Sequence, residues 1–172
     1  MMQMRWPFSF KSIVAVVGLL ALSSAFAETI QGRVVAIADG DTLTLLTQDS
    51  QQVQIHLAGI DSPEKGQDFG QGAKANLSDL AFGREAVADC KKRDLYRRHV
   101  CVVTVDGVDV GLAQVKAGMA WWYRLYIGEQ TSMQRDAYER AEAEAKAAHR
   151  GLWVHSHPVP PWDWRRDRKL VE

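Results

Sequence analysis

The chain has 172 residues, 47% of them hydrophobic, and its 21 Lys and Arg are balanced by 21 Asp and Glu. That is enough length for one domain with a single core, and no internal repeat or Gly/Ser-rich linker divides it. A formal charge of zero excludes a polyanion partner held by the overall field, so any such partner must be met by a local basic patch.

Residues 1–27 read as a secretory signal peptide. Arg5 and Lys11 make a positive start, residues 13–22 an apolar stretch, and Ala25-Phe26-Ala27 a small-x-small cleavage site. The apolar stretch is too short to span a bilayer comfortably, and no second one follows. The expectation is an exported mature chain from about Glu28 to Glu172, periplasmic or secreted, monomeric, with no membrane attachment after cleavage. Removing Arg5 and Lys11 with the leader leaves 19 basic against 21 acidic residues.

Residues 30–37 and 43–47 alternate apolar and polar around Asp39-Gly40, a dipeptide expected to supply the positive φ of a tight hairpin turn. Val53, Ile55 and Leu57 continue the period of two in a third strand. It ends at Gly59, and the loop Asp61-Ser62-Pro63-Glu64 follows, stiffened by its proline. A loose Gly- and Gln-rich passage, 65–71, leads to a helix over 72–82 with Ala73, Leu77 and Leu80 facing inward. Residues 85–90 and 100–105 form a second hairpin, and Asp106-Gly107 another turn.

Asp109 or Val110 opens a short helix that Gly118 stops. Thr131 caps a long one, with Met133, Ala137, Ala141, Ala145 and Ala148 as its apolar stripe and Glu142 and Lys146 paired on the wet side. Five short strands, a helix between the third and fourth, and trailing helices point to an α+β fold. The architecture expected is a five-stranded Greek-key barrel of the oligonucleotide-binding type with three α-helices, over residues 28–153. The Pro- and Trp-rich tail, 154–172, has no helical period and reads as an extended strap docking Trp162 or Trp164. Its basic run from Arg165 to Lys169 could help hold a polyanion, but an acid breaks it and the chain end is near, so it reads as solvated.

Cys90 and Cys101 flank the charged segment 91–99. In an oxidising compartment a disulfide across the hairpin is the natural pairing, with two buried thiols as the alternative. Asp61 and Glu64 sit in the stiff loop at a strand end, and Asp41 follows the preceding turn. Singly each is an ordinary turn or capping carboxylate. Together they offer the oxygens a hard divalent cation needs. Arg98, within Asp94-Leu95-Tyr96-Arg97-Arg98, carries a planar fork of donors that matches two phosphate oxygens. Metal plus arginine is a recurring way to offset the charge that develops on a phosphodiester under attack.

These stretches, with Gly118-Met119-Ala120-Trp121 and Arg150-Gly151-Leu152-Trp153, resemble the staphylococcal nuclease (thermonuclease) family in order and separation. The resemblance implies a calcium-dependent endonuclease, a phosphodiesterase acting on DNA and RNA and leaving 3′-phosphate ends. It also implies that Asp41 and Asp61 hold the Ca²⁺ with the Ser62 carbonyl, that Glu64 orients or deprotonates the water, and that Arg98 braces the phosphate. Tyr96 and Tyr126 match nucleotide-contacting positions.

Two departures stand out. His56 occupies the place of a second phosphate-binding arginine, and an imidazole with a reference pKa of about 6.5 is mostly neutral at neutral pH. Arg97 replaces a glycine. His56 and Asp61 reach one cleft only if the chain bends at Ala58-Gly59. The rival reading is a non-catalytic nucleic-acid-binding module whose chemistry was weakened or lost through His56.

Overall fold

The computed structural model describes residues 28–170, so the expected leader, 1–27, lies outside the described residues. The barrel is built on β1 (Glu28–Ile37), a strand long enough to serve two partners. Its first half pairs with β5 (Glu85–Arg93) and its second with β2 (Thr42–Leu46), both antiparallel, with a bulge between Val34 and Ala36. Gly32 lies on the crossover, where a Cβ would fall 2.4 Å from the Leu46 carbonyl oxygen. β2 continues into β3 (Gln52–Leu57), and β5 into β6 (His99–Val105). A parallel pairing of β3 with β6, Ile55 opposite His99 and Leu57 opposite Cys101, closes the five strands into a barrel.

Alternation sends Val34, Leu43, Leu45, Ile55, Leu57, Ala88 and Val103 inward, where they form one core with the helices. That is the α+β barrel the period-two runs predict. Cys90 and Cys101 face each other across β5 and β6 and are joined in a disulfide. Closing a loop of that length contributes about 3 kcal/mol by the chain-entropy estimate.

The helix α1 (Gly70–Ala81) buries Ala73, Leu77 and Ala81, with Leu80 packed against the same core. After the two-residue strand β7 (Val108–Asp109), α2 (Val110–Lys116) opens on Asp109, whose side chain accepts from the Leu112 amide, and Gly118 at φ 70° ends it. Asp106 and Gly107 both adopt positive φ in the turn before it. Thr131 and Gln134 cap α3 (Ser132–Ala147) reciprocally.

Five expectations need correcting. The buried face of α3 is Tyr138, Ala141, Glu142 and Ala145, while Met133 and Ala148 are exposed. Glu142 is not on the wet side: it accepts from the Trp122 amide and pairs with Arg124 and Lys146. Gly40 is absent from the positive-φ positions. It is required because a Cβ there would meet Ala73 and Ser62 within 2.8 Å, so α1 can lie against the turn. The passage 65–71 is tied down by Gln67, a buried side chain that accepts from the Glu64 amide and donates to the Val159 carbonyl.

The tail, finally, is not an extended strap. It forms a fourth helix, α4 (Pro161–Lys169), against the three expected. Pro161 sits at the first helical position, where its missing N–H costs nothing. Asp163 lies in the first turn and Arg166, Arg168 and Lys169 in the last, the charge order that suits the helix dipole.

Candidate active site

Every sequence-predicted carboxylate and the predicted arginine line one cleft of about 660 Å³ at the barrel rim: Asp41, Asp61, Glu64 and Arg98, with His56, Ser62, Tyr96 and Tyr126. The β1–β2 turn delivers Asp41, now held from three sides. Its Oδ2 accepts the Ser62 amide at 2.7 Å, its Oδ1 accepts the Thr42 hydroxyl at 3.1 Å, and His56 Nδ1 lies 3.2 Å from Oδ1 without the alignment of a good hydrogen bond. Burial raises the Asp41 carboxyl, but His56 and the Ser62 amide outweigh it and hold the group well below the usual carboxylate range.

The same contact works on His56 in reverse. Burial lowers the imidazole, and Asp41 more than restores it, so its pKa lies above the ordinary value. The near-neutral imidazole of the sequence reading is thus drawn toward the charged form, and its ring faces a carboxylate.

Asp61 reaches this cleft because the chain turns at Gly59, φ 76°, after β3. Strict alternation would have put it on the face opposite His56. It then enters a two-residue strand, β4 (Ile60–Asp61), paired with β8 (Trp121–Trp122), with Ile60 opposite Trp122 and Asp61 opposite Trp121. Both tryptophans are core, as expected of an aromatic run after a helix stop. Trp121 in turn packs on Trp153 and Trp162. Burial and the nearby charge of Asp41 push the Asp61 carboxyl up in spite of its arginine partner. Asp39 behaves likewise, raised to about 6 by burial and by Asp41.

Three crowded carboxylates of raised or opposed affinity make a site that gains from positive charge. All its side-chain donors are oxygen, the ligand type of a hard cation. Among the described residues no group of three His, Cys, Asp or Glu side chains converges as a ready-made metal cluster. Asp41 and Asp61 offer two carboxylates to such a cation, which would complete its oxygen shell with backbone carbonyls and water.

Arg98 stands in the β5–β6 loop. Its Nε donates to Asp94 at 2.7 Å and its Nη1 to the Thr42 hydroxyl at 3.1 Å, which links it through Thr42 to Asp41. Arg97 takes the left-handed conformation, φ 67°, that a glycine would adopt freely, and Asp94 holds the turn by accepting the Tyr96 and Arg98 amides. The hairpin thus keeps a glycine-like turn shape despite the substitution. Tyr96 is 82% exposed beside Arg98, and Tyr126 is 45% exposed with Lys92 Nζ 3.8 Å above its ring. Both offer faces on which a base can stack.

Three residues were not singled out for the site from the sequence. Thr42 bridges Arg98 and Asp41, and its place directly after Asp-Gly-Asp was the available signal. Asp39 joins the acidic cluster, although as a turn residue it gave no such sign. Arg165, in the tail read as solvated, donates to both oxygens of Asp61 at 2.7 and 3.1 Å and to Glu64 at 2.7 Å. The basic run was a signal for a polyanion contact, but the acid within it and the nearby chain end favoured a solvated tail.

Residues 54–155 match the family described as Staphylococcal nuclease homologue. A Haemophilus influenzae protein named an uncharacterized endonuclease is 40% identical over 149 residues, 87% of this chain and 80% of its own length. A Shigella flexneri protein named micrococcal nuclease is 36% identical over 94% of each chain. The Escherichia coli protein ParB is 37% identical over 91% of this chain and 90% of its own.

Proposed function

This chain belongs to the staphylococcal nuclease homologue family and is a nuclease, and we propose on that premise that it is an exported, Ca²⁺-dependent enzyme cutting DNA and RNA to 3′-phosphate ends. The observation that carries the reading is the convergence of Asp41, Asp61, Glu64 and Arg98 on one cleft, flanked by exposed tyrosine rings. The Cys90–Cys101 bond suits an oxidising compartment outside the cytoplasm.

Asp41 and Asp61, with the Ser62 carbonyl, would hold the cation. When bound it supplies positive charge beside the non-bridging oxygens of the diester. Glu64, 39% exposed at the rim, accepts a proton from the attacking water. The water oxygen bonds to phosphorus, the bond from phosphorus to the 5′ oxygen breaks, and solvent water protonates the leaving oxygen to the 5′ hydroxyl while Glu64 returns its proton to solvent. Arg98, steadied by Asp94 and Thr42, donates to the phosphoryl oxygens as their charge grows.

The test is incubation of single-stranded DNA and of RNA with and without Ca²⁺, followed by analysis of product ends. Chelator is expected to abolish cleavage. Glu64→Gln is expected to lower kcat by about 10² to 10⁴, with Arg98→Ala in a similar range and both variants folded at the assay temperature. Undiminished turnover in Glu64→Gln removes that residue from the chemistry. A mobility shift without shortened products identifies a binding module.

A further inference from the structure

We propose that Arg165, carried into the cleft by the C-terminal helix, is a phosphate-contacting residue of this nuclease, so that the tail completes the active site. The inference rests on the nuclease reading and adds a residue to it.

Arg165 is placed by construction. Pro160 and Pro161 start α4, Gln67 ties Val159 to the loop that bears Glu64, and Asp163 pairs with Arg166 at 2.9 Å. Trp162 packs on Trp121, whose backbone pairs with Asp61, and on Tyr123, with ring centres 6.3 and 5.3 Å apart. The helix therefore docks on the same short strand pair that positions Asp61, and Arg165 follows that docking.

Its contacts engage Nη1 twice and Nη2 once. A guanidinium has five N–H donors, so donors remain for a ligand, and the side chain is 44% exposed. A water activated by Glu64 attacks phosphorus from about 3 Å. The oxygens of that phosphate then come within hydrogen-bond reach of a guanidinium already 2.7 Å from Glu64 Oε1.

Three other basic side chains of the cleft are placed differently. Lys92 is paired with Glu129, Arg98 is oriented by Asp94 and Thr42, and His56 faces Asp41. Arg165 is the basic side chain in direct contact with both Asp61 and Glu64, and a fork of donors there suits two oxygens of one phosphate.

The experiment compares wild type, Arg165→Ala, Arg165→Lys and the tail control Lys169→Ala. It uses full-length mature chain and a fluorescent single-stranded oligonucleotide in Ca²⁺ over a salt series, with the Ca²⁺ midpoint and thermal midpoint measured in parallel. Arg165→Ala is expected to lose about 100-fold in kcat/KM and to flatten the salt dependence by about 0.7 in log–log slope, one phosphate contact. Arg165→Lys is expected to recover the slope and part of the rate, and Lys169→Ala to behave as wild type.

Wild-type rate and slope in Arg165→Ala overturn the proposal while leaving the nuclease reading intact. Faster cleavage with a lower Ca²⁺ midpoint also overturns it, by identifying Arg165 as a counter-ion that competes with the cation for Asp61. If Arg165→Ala does not fold, Arg165→Lys decides by its rate and salt slope. Absence of cleavage by wild type overturns both readings.

Discussion

A guanidinium stabilises a transition state only if it is already aimed, and Arg98 is aimed by Asp94. That carboxylate takes the Arg98 Nε bond and the Tyr96 and Arg98 amides together. Burial raises it, but Arg98 and the amides together prevail, so its carboxyl sits below the ordinary range. A carboxylate with a depressed folded pKa stabilises the fold fully above its unfolded value of about 3.9, and that stabilisation is lost as pH falls through the lower folded value. Asp94→Asn is therefore expected to lose less stability than wild type as pH falls below about 4, one residue's titration, as read by urea midpoints on acidification. The same variant is expected to lower kcat by about 10-fold at neutral pH, since Arg98 loses its charged anchor, and to lower the thermal midpoint there, since the ionised Asp94 no longer contributes stability. A kcat equal to wild type shows that Thr42 alone suffices to aim it.

At the scale of elements, the acidic turn is held in place by a buried glutamine. Gln114 on α2, wholly inaccessible to solvent, donates to the Gly40 carbonyl at 2.6 Å and the Ala73 carbonyl at 2.9 Å and accepts from Asn76. One side chain thereby joins α2, α1 and the turn preceding Asp41. Gln114→Leu removes all three bonds and leaves the Gly40 carbonyl without this buried donor, an expected loss of about 2 kcal/mol and roughly 6 °C in thermal midpoint. Activity is expected to fall with it, measured below the unfolding transition. The strands, caps and glycine stops were legible in the sequence because period-two runs and capping residues act locally. Gly59 likewise marked the bend that brings Asp61 to His56. Gln114 and Glu142 were not, because a polar residue in a helix reads as surface until its distant partners are known. α4 and Arg165 escaped for the complementary reason: a nine-residue helix docked by Trp162 leaves too little apolar period to see, and its basic side chains resemble a solvated tail. What failed to show, in each case, was a contact between residues far apart in the chain.

The whole molecule carries no bulk attraction for nucleic acid, with 21 basic and 21 acidic residues. The cleft instead mixes Lys92, Arg93, Arg98 and Arg165 with the acids that would hold the cation. Attraction is therefore short-ranged, set by a few phosphate contacts at the cleft and screened within about 10 Å at moderate salt. With three or four phosphates engaged on a single strand, log kcat/KM is expected to fall against log salt with a slope of about −2 to −3. kcat is expected to hold constant, because salt acts on encounter and grip and leaves the geometry around Glu64 unchanged. A slope near zero in a titration of monovalent salt at saturating Ca²⁺ shows that base stacking on Tyr96 and Tyr126 carries the affinity. A much steeper slope points to a longer basic track, such as the exposed residues of α4 from Arg166 to Lys169. Charge reversal at Arg166 and Lys169 then separates the two: a cleft-limited enzyme keeps its slope, whereas an enzyme with an extended track loses about 0.7 for each contact removed.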